Sequence, residues 1–432
     1  MGLALFALFF GAGNLIFPPV IGLEGGTDWL VGYFAYFLAD VGLALVGLFA
    51  MIKTGGKMEG VTGVLGKVAS TVLNCAIILC VGPLLAIPRT AATSFEMGTA
   101  CLAPEMSADP LARVAFSVVF FAVVFAAALS PGKMVDRVGK LLTPALVAAL
   151  AVLVIAGIVN PAAQPEAPRV GNLLQEGVLN GYQTMDMIAA LVFSLVVVNS
   201  IESKAAQEGV PRMRLAFAAC AVSAGLLFVT YGGLAYLGAT SGQLWGYEFM
   251  AGAINHAGLL SGLSGAVVGS AGAVVLSVIV VLACLTTAIG LVSACSEFIV
   301  ELFGGRLAYP VVAVGICVFS AFVCNLGLTE IVGISGPILS LVYPTVMFLV
   351  VMRLAPLSEG AYRLACCFGA FASFAVSLCA LLVDTFGVRA FAVVHLLPLD
   401  EFGFGWLVPT FVAALVGIVV AGGIGARVRR AD

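Results

Sequence analysis

An all-α polytopic membrane protein is the fold class this sequence predicts. Composition, a series of long apolar runs and the sorting of charge between them carry that reading. Of the 432 residues, 62% are hydrophobic and only 9% are charged, and the mean hydropathy is +1.18. A water-soluble domain does not have this balance. A helix crossing the hydrocarbon core needs about 20 apolar residues. By that measure twelve spans run at roughly 2–22, 29–52, 70–97, 111–129, 138–159, 179–201, 214–239, 266–302, 308–326, 331–352, 362–386 and 404–426. With the N-terminus inside, the inner connections hold Lys53, Lys57, Lys67, Lys133, Arg137, Lys140, Lys204, Arg212, Arg214, Arg306, Arg353 and Arg363, and the C-terminal tail adds Arg427, Arg429 and Arg430. That is fifteen of the nineteen basic residues, against Arg113, Arg169 and Arg389 outside and Arg89 within a span. The bias predicts a multi-pass cell-membrane protein with both termini cytoplasmic.

The first span carries FFGAGNLIFPP, from Phe9 to Pro19. A lipid-facing helix has no use for Gly11, Gly13, Asn14, Pro18 and Pro19 together. In hydrocarbon an unpaired backbone group costs several kcal/mol, so a helix opens only where protein or water covers it. An opened helix would aim amides at an anion and carbonyls at a cation. The same residues also suit a Gly-x-Gly packing notch followed by a proline kink, and alone they do not separate the two.

Later spans hold further candidates. The second span places Asp40 near its middle, and the third reads GPLLAIPRTAATSFE, with Arg89 directly after Pro88 and Glu96 two turns later. Charges inside a membrane are functional candidates by default, and Arg89 is expected to pair with Asp186 or Glu96, as gate, proton site or scaffold. After the fifth span, the Pro-rich stretch from Asn160 to Gly177 forms the longest ordinary loop. The sixth span, GYQTMDMIAALVFSLVVVNSI, has no Gly or Pro between Tyr182 and Ile201, so from its residues an intact helix is expected. Four spans intervene between it and the first, the spacing of an inverted five-helix repeat whose first helices are interrupted. Gly242 to Gly262 reads as an interfacial helix or loop. In the eighth span, ACLTTAIG offers two Thr hydroxyls and the Ala283 carbonyl one turn earlier. Three hard oxygens suit a hard cation, although Thr hydroxyls also commonly bond their own helix.

The remaining polar residues say less. Glu24, Asp28, Glu105, Asp109, Glu166, Glu176, Glu248, Glu330, Asp400 and Glu401 fall on the outer side. Eleven Cys lie mostly in apolar segments and the two His, His256 and His395, are far apart. Neither a disulfide framework nor a metal cluster is expected. No signal peptide, soluble domain or nucleophile–base set is legible, and an enzyme is not expected.

Four stretches in register, FALFFGAGNLIFPP, GPLLAIPRTAATSFE, GYQTMDMIAALVFSLVVVNSI and LACLTTAIGLVSACSEF, resemble the branched-chain amino acid:cation symporter family across essentially the whole chain. The resemblance implies a LeuT-type five-plus-five inverted repeat with broken first and sixth helices. Residues 1–160 would form the first repeat, 178–352 the second, and 362–426 two additional helices. It implies symport of leucine, isoleucine or valine with sodium, no resident cofactor, the lipid bilayer as surroundings and no nucleic-acid partner. By position, Gly11, Ala12 and Gly13 correspond to the unwound segment facing the substrate carboxylate, with Asn14 following. Ala7 and Phe10 would offer carbonyls to sodium alongside Ala283, Thr286 and Thr287. Ser194 falls where the sixth helix is expected to open, with Val198 and Asn199 beside it on the substrate side. Family members usually begin with a polar segment, whereas the ten residues before Gly11 rise only ~15 Å. A proton-coupled permease for another small apolar amino acid, with Asp186 or Glu96 titrating, or a passive channel are the alternatives.

Overall fold

A computed structural model gives the fold. It describes residues 1–102, 106, 109–129 and 131–431, with side chains described at all of these except 100–102, 131–143 and 423–431. Glu105, named above for its charge, lies outside the described residues, as do the side chains of Lys133, Arg137, Lys140, Arg427, Arg429 and Arg430.

Every regular element among the described residues is helical. The first half runs α1 (Gly2–Phe9), α2 (Ala12–Gly25), α3 (Trp29–Phe37), α4 (Leu43–Thr54), α5 (Glu59–Thr62), α6 (Lys67–Leu79), α7 (Ala86–Leu102), α8 (Pro110–Ala128), α9 (Pro131–Val159) and α10 (Leu173–Thr184). The second half follows with α11 (Asp186–Glu208), α12 (Arg212–Ala239), α13 (Gly242–Met250), α14 (His256–Leu302), α15 (Tyr309–Cys324), α16 (Leu328–Leu354), α17 (Glu359–Phe386) and α18 (Leu407–Ala431). Among the described residues eight helical stretches are long and apolar enough to cross a membrane, and three shorter apolar helices accompany them. The polar-to-amphipathic stretch after the seventh span is helical, forming α13 and the start of α14.

Several helices are interrupted, each with a local cause. Between α1 and α2, Phe10 and Gly11 leave helical geometry, Gly11 at φ −104°, ψ −173°. Between α10 and α11, Met185 takes a left-handed φ of 68°. Such a conformation costs a non-glycine residue on the order of 1–3 kcal/mol and persists only where its surroundings fix it; Met185 is buried. The sixth span is therefore not the intact helix its residues suggest. Wider π-type turns at Leu38–Gly42 and Cys80–Leu84 join α3 to α4 and α6 to α7. Pro83 in the second of these lacks the amide that would continue the ladder. Gly269, at φ 73°, bends α14.

The chain forms two compact units. The first comprises residues 1–39, 78–185 and 213–335. In it α14 packs along α7 and α9, and α10 along α3, while α2 lies against α3, α10 and α14. The second half of the first span, in α2, is also pressed onto α12 backbone to backbone. A Cβ at Gly22 would fall 1.8 Å from the Ala235 carbonyl oxygen, and one at Gly238 1.9 Å from that of Pro19. Only glycine permits that approach. The second unit comprises residues 40–77, 186–212 and 336–432. There α17 pairs with α18 and α11 with α4.

Candidate functional site

In an uninterrupted helix the Gly11 amide would close on the carbonyl of Ala7, four residues earlier. Here it donates instead to the Phe9 carbonyl at 3.1 Å and to Asn14 Oδ1 at 3.0 Å. Asn14 is the third residue of α2, so its side chain reaches back to the residue that caps its own helix, one half of a capping box. That bond stabilises the open form, because the amide released by the break is satisfied locally. Phe10, Ala12 and Asn14 are buried, so the opening lies inside protein, as a membrane requires. Pro18 and Pro19 stand inside α2, where neither has an amide to donate to the turn before it.

The first turn of α2 meets a cation. Arg89, from α7, is only 3% exposed. A Cβ on Gly13 would lie 3.0 Å from Arg89 Nη2, and the guanidinium carbon stands 5.7 Å from the centre of the Phe17 ring. Nη1 donates to the Gln183 carbonyl at 2.5 Å and Nη2 to that of Thr184 at 3.4 Å. Those carbonyls end α10 directly before the left-handed Met185. Helix C-termini leave carbonyls without intrahelical amides, and a cation there is favourable. Thus one side chain touches the openings at Gly11 and at Met185, a link that no local sequence pattern encodes. Glu96, expected as an alternative partner for Arg89, accepts from Asn255 Nδ2 at 2.5 Å and from the Leu328 amide at 3.2 Å, so it caps the start of α16.

On α14, Thr286 and Thr287 both donate to the Ala283 carbonyl, at 2.9 and 3.0 Å. The hydroxyls bond their own helix, the alternative weighed for them above. Donation nevertheless leaves each hydroxyl oxygen its lone pairs, and the two bonds gather three oxygens on one half-buried face. That donor set fits a hard monovalent cation and contains no thiolate or imidazole to favour a softer one.

The sixth-span candidates fall elsewhere. The chain opens at Met185, nine residues before Ser194, and α11 continues unbroken through Ser194, Val198 and Asn199. The Ser194 hydroxyl contacts the carbonyls of Leu191 and Gly56 at 2.6 and 2.8 Å. Val198 is buried, and Asn199 lies on an exposed face. No Gly or Pro marks the true opening. Its one sequence signal is the polar run Tyr182-Gln183-Thr184 ahead of Asp186.

Comparison with known proteins follows the same lines. A family model described as "Branched-chain amino acid transport protein" matches residues 1–423. The chain is 36% identical to the branched-chain amino acid permease BraB of Bacillus subtilis, over 97% of this chain and 94% of that one. It is 35% identical to the branched-chain amino acid transport system 2 carrier protein of Pseudomonas aeruginosa, and 35% to the permease BrnQ of Escherichia coli, with the same coverages in both. Among solved structures, MhsT in complex with L-phenylalanine superposes with a TM-score of 0.55, covering 97% of each chain at 16% identity. The nucleobase-cation-symport-1 transporter Mhp1 superposes at 0.60, covering 98% of this chain and 92% of that one at 13% identity. Both share the fold of this chain.

Proposed function

Because the chain belongs to the branched-chain amino acid transport family, we propose that it imports leucine, isoleucine and valine by symport with sodium. The observation that carries this reading is the backbone opened at Phe10–Gly11 inside a buried stretch of the first span. The substrate carboxylate docks on the amides of Gly11 to Asn14 at the positive end of α2. Sodium is held by the Ala7 and Phe10 carbonyls ending α1 together with Ala283, Thr286 and Thr287. Filling that cation site neutralises the carbonyl side of the gap and favours the conformation that receives the amino acid. The sixth helix contributes through its own opening at Met185, in place of Ser194, Val198 and Asn199.

The wider architecture belongs to the same proposal: twelve crossings, a five-plus-five inverted repeat with two added helices, and both termini in the cytoplasm. One charge crossing at 100 mV contributes ~2.3 kcal/mol, enough for roughly fifty-fold accumulation. An apolar pocket separates substrates differing by a methylene by only ~1–3 kcal/mol, so the three amino acids compete.

The test is uptake of labelled leucine in membrane vesicles with sodium replaced by potassium or choline. Sodium-dependent, saturable entry displaced by isoleucine and valine supports symport. Uptake that ignores sodium and follows a pH gradient replaces it with the proton-coupled alternative. Non-saturable, non-concentrative entry would indicate a channel.

A further inference from the structure

The openings at Phe10–Gly11 and at Met185 are both approached by one buried guanidinium. The position is costly to occupy unless it is used. A cation removed from water needs compensating acceptors, and Arg89 finds them in the last two carbonyls of α10. Arginine suits this place where lysine does not. Its planar fork donates along two directions at once, so two successive carbonyls are bonded by different nitrogens of one rigid group. The remaining face of the guanidinium rests on the Phe17 ring, which belongs to α2 as Gly13 does. Arg89 is thereby held by α10 on one side and by α2 on the other, the elements that flank the openings.

We propose that Arg89 is a positioning residue of the transport site. It fastens the end of α10 to the first turn of α2, fixing the separation of the two openings, and it supplies the fixed positive charge that makes the site select a carboxylate. This rests on the reading of the site as an amino-acid site and adds the residue that sets its charge preference. A carboxylate on the α2 amides lies beside a permanent cation and gains affinity that a neutral carboxamide does not.

Reconstituted protein tests this with wild type, Arg89→Lys and Arg89→Ala, using leucine and leucinamide as competing ligands. Wild type should prefer leucine strongly. In Arg89→Ala the preference for leucine over leucinamide should fall at least tenfold, through weaker leucine binding with leucinamide unchanged or improved. Arg89→Lys should restore most of the preference, because the charge is back. Its maximal uptake rate should nevertheless stay well below wild type, because a compact ammonium on a flexible stem does not reproduce the rigid spread of the two guanidinium nitrogens. A purely architectural arginine would weaken both ligands in parallel and leave their ratio unmoved, and that result overturns the proposal. So does an Arg89→Lys protein with wild-type rate and half-saturation, or the loss of both variants from the membrane as misfolded protein. If wild type itself binds no branched-chain amino acid, the functional reading fails. If it does and the ratio is insensitive to residue 89, only the role of Arg89 fails.

Discussion

Replacing Gly13 by alanine is the smallest change that reaches both the opened backbone and the buried cation. The added methyl carbon would sit 3.0 Å from Arg89 Nη2, 3.3 Å from Arg89 Cζ and 3.3 Å from Phe17 Cε2, each closer than ordinary carbon contacts of about 3.5–4.0 Å. Something must move by a few tenths of an ångström. The Phe17 ring is packed edge-on against His256, with centroids 5.4 Å apart, and the guanidinium is tied to Gln183 and Thr184. Overpacking of this kind costs about 1–3 kcal/mol. Against it, alanine in place of glycine inside a helix returns up to about 1 kcal/mol. The steric loss exceeds the propensity gain, and the residual of up to about 2 kcal/mol corresponds to a shift of as much as roughly thirtyfold, at about 1.4 kcal/mol per factor of ten. Because the displaced group is the fixed cation, the loss should appear in leucine half-saturation, with the melting temperature changed by a few degrees at most. Concentration-dependent uptake in proteoliposomes, read beside thermal unfolding, measures both. A Gly13→Ala protein with wild-type leucine half-saturation would refute the placement of Arg89 against the site.

Three further outcomes are expected. Thr286→Ala removes one hydroxyl of the α14 oxygen cluster and should raise the sodium concentration for half-maximal uptake about tenfold or more, since hydrogen-bond-like contacts to a charge contribute about 1.5–3 kcal/mol; an unchanged sodium dependence would dissociate α14 from the cation. Gly22→Ala and Gly238→Ala place a methyl carbon less than 2 Å from a facing carbonyl oxygen and should strip folded protein from the membrane, while Gly225→Ala, with open space around it, should not; blotting of membrane fractions decides. His395, in the turn after α17, bonds Asp400 at 2.8 Å and approaches Asp384 at 3.2 Å, and the Asp400 contact raises its pKa above the ordinary value of 6.5. A raised folded-state pKa means the stabilisation is complete below the unfolded pKa and fades as pH rises through the folded one. The stability difference between wild type and His395→Asn should therefore be largest in mildly acidic solution and vanish in alkaline solution, a small effect because the group is exposed. Equal differences at both ends of a pH series of melting curves would exclude the ion pairs as its source.

The parts of this site visible in sequence are those whose cause is local. Gly11-Ala12-Gly13 with Pro18-Pro19 suits either an interruption or a packing notch with a kink, because small residues and missing amides act on their own helix, and the opening lies where that cluster stands. Thr286 and Thr287 gather at Ala283 because one turn of helix brings them there. The opening of the sixth span at Met185 is not legible in sequence, because a left-handed methionine carries no residue-type signature. Its conformation is imposed by packing and by Arg89 at the adjoining carbonyls, almost a hundred residues away in the chain. Ser194 drew attention as an isolated hydroxyl in an apolar run, yet its bonds serve the backbone. Gly22 and Gly238 looked unremarkable, since a close approach between two helices shows in neither sequence alone.

Hydrogen exchange at the Gly11–Leu15 amides, with and without leucine and sodium, tests the opened first helix most directly. In its absence of ligand this segment should exchange measurably faster than the flanking turns of α1 and α2, and leucine with sodium should slow it, isoleucine and valine doing the same. Exchange as slow as in the flanking turns and unaffected by amino acid or ion would mean a closed helix that holds neither, and would contradict the site at its foundation.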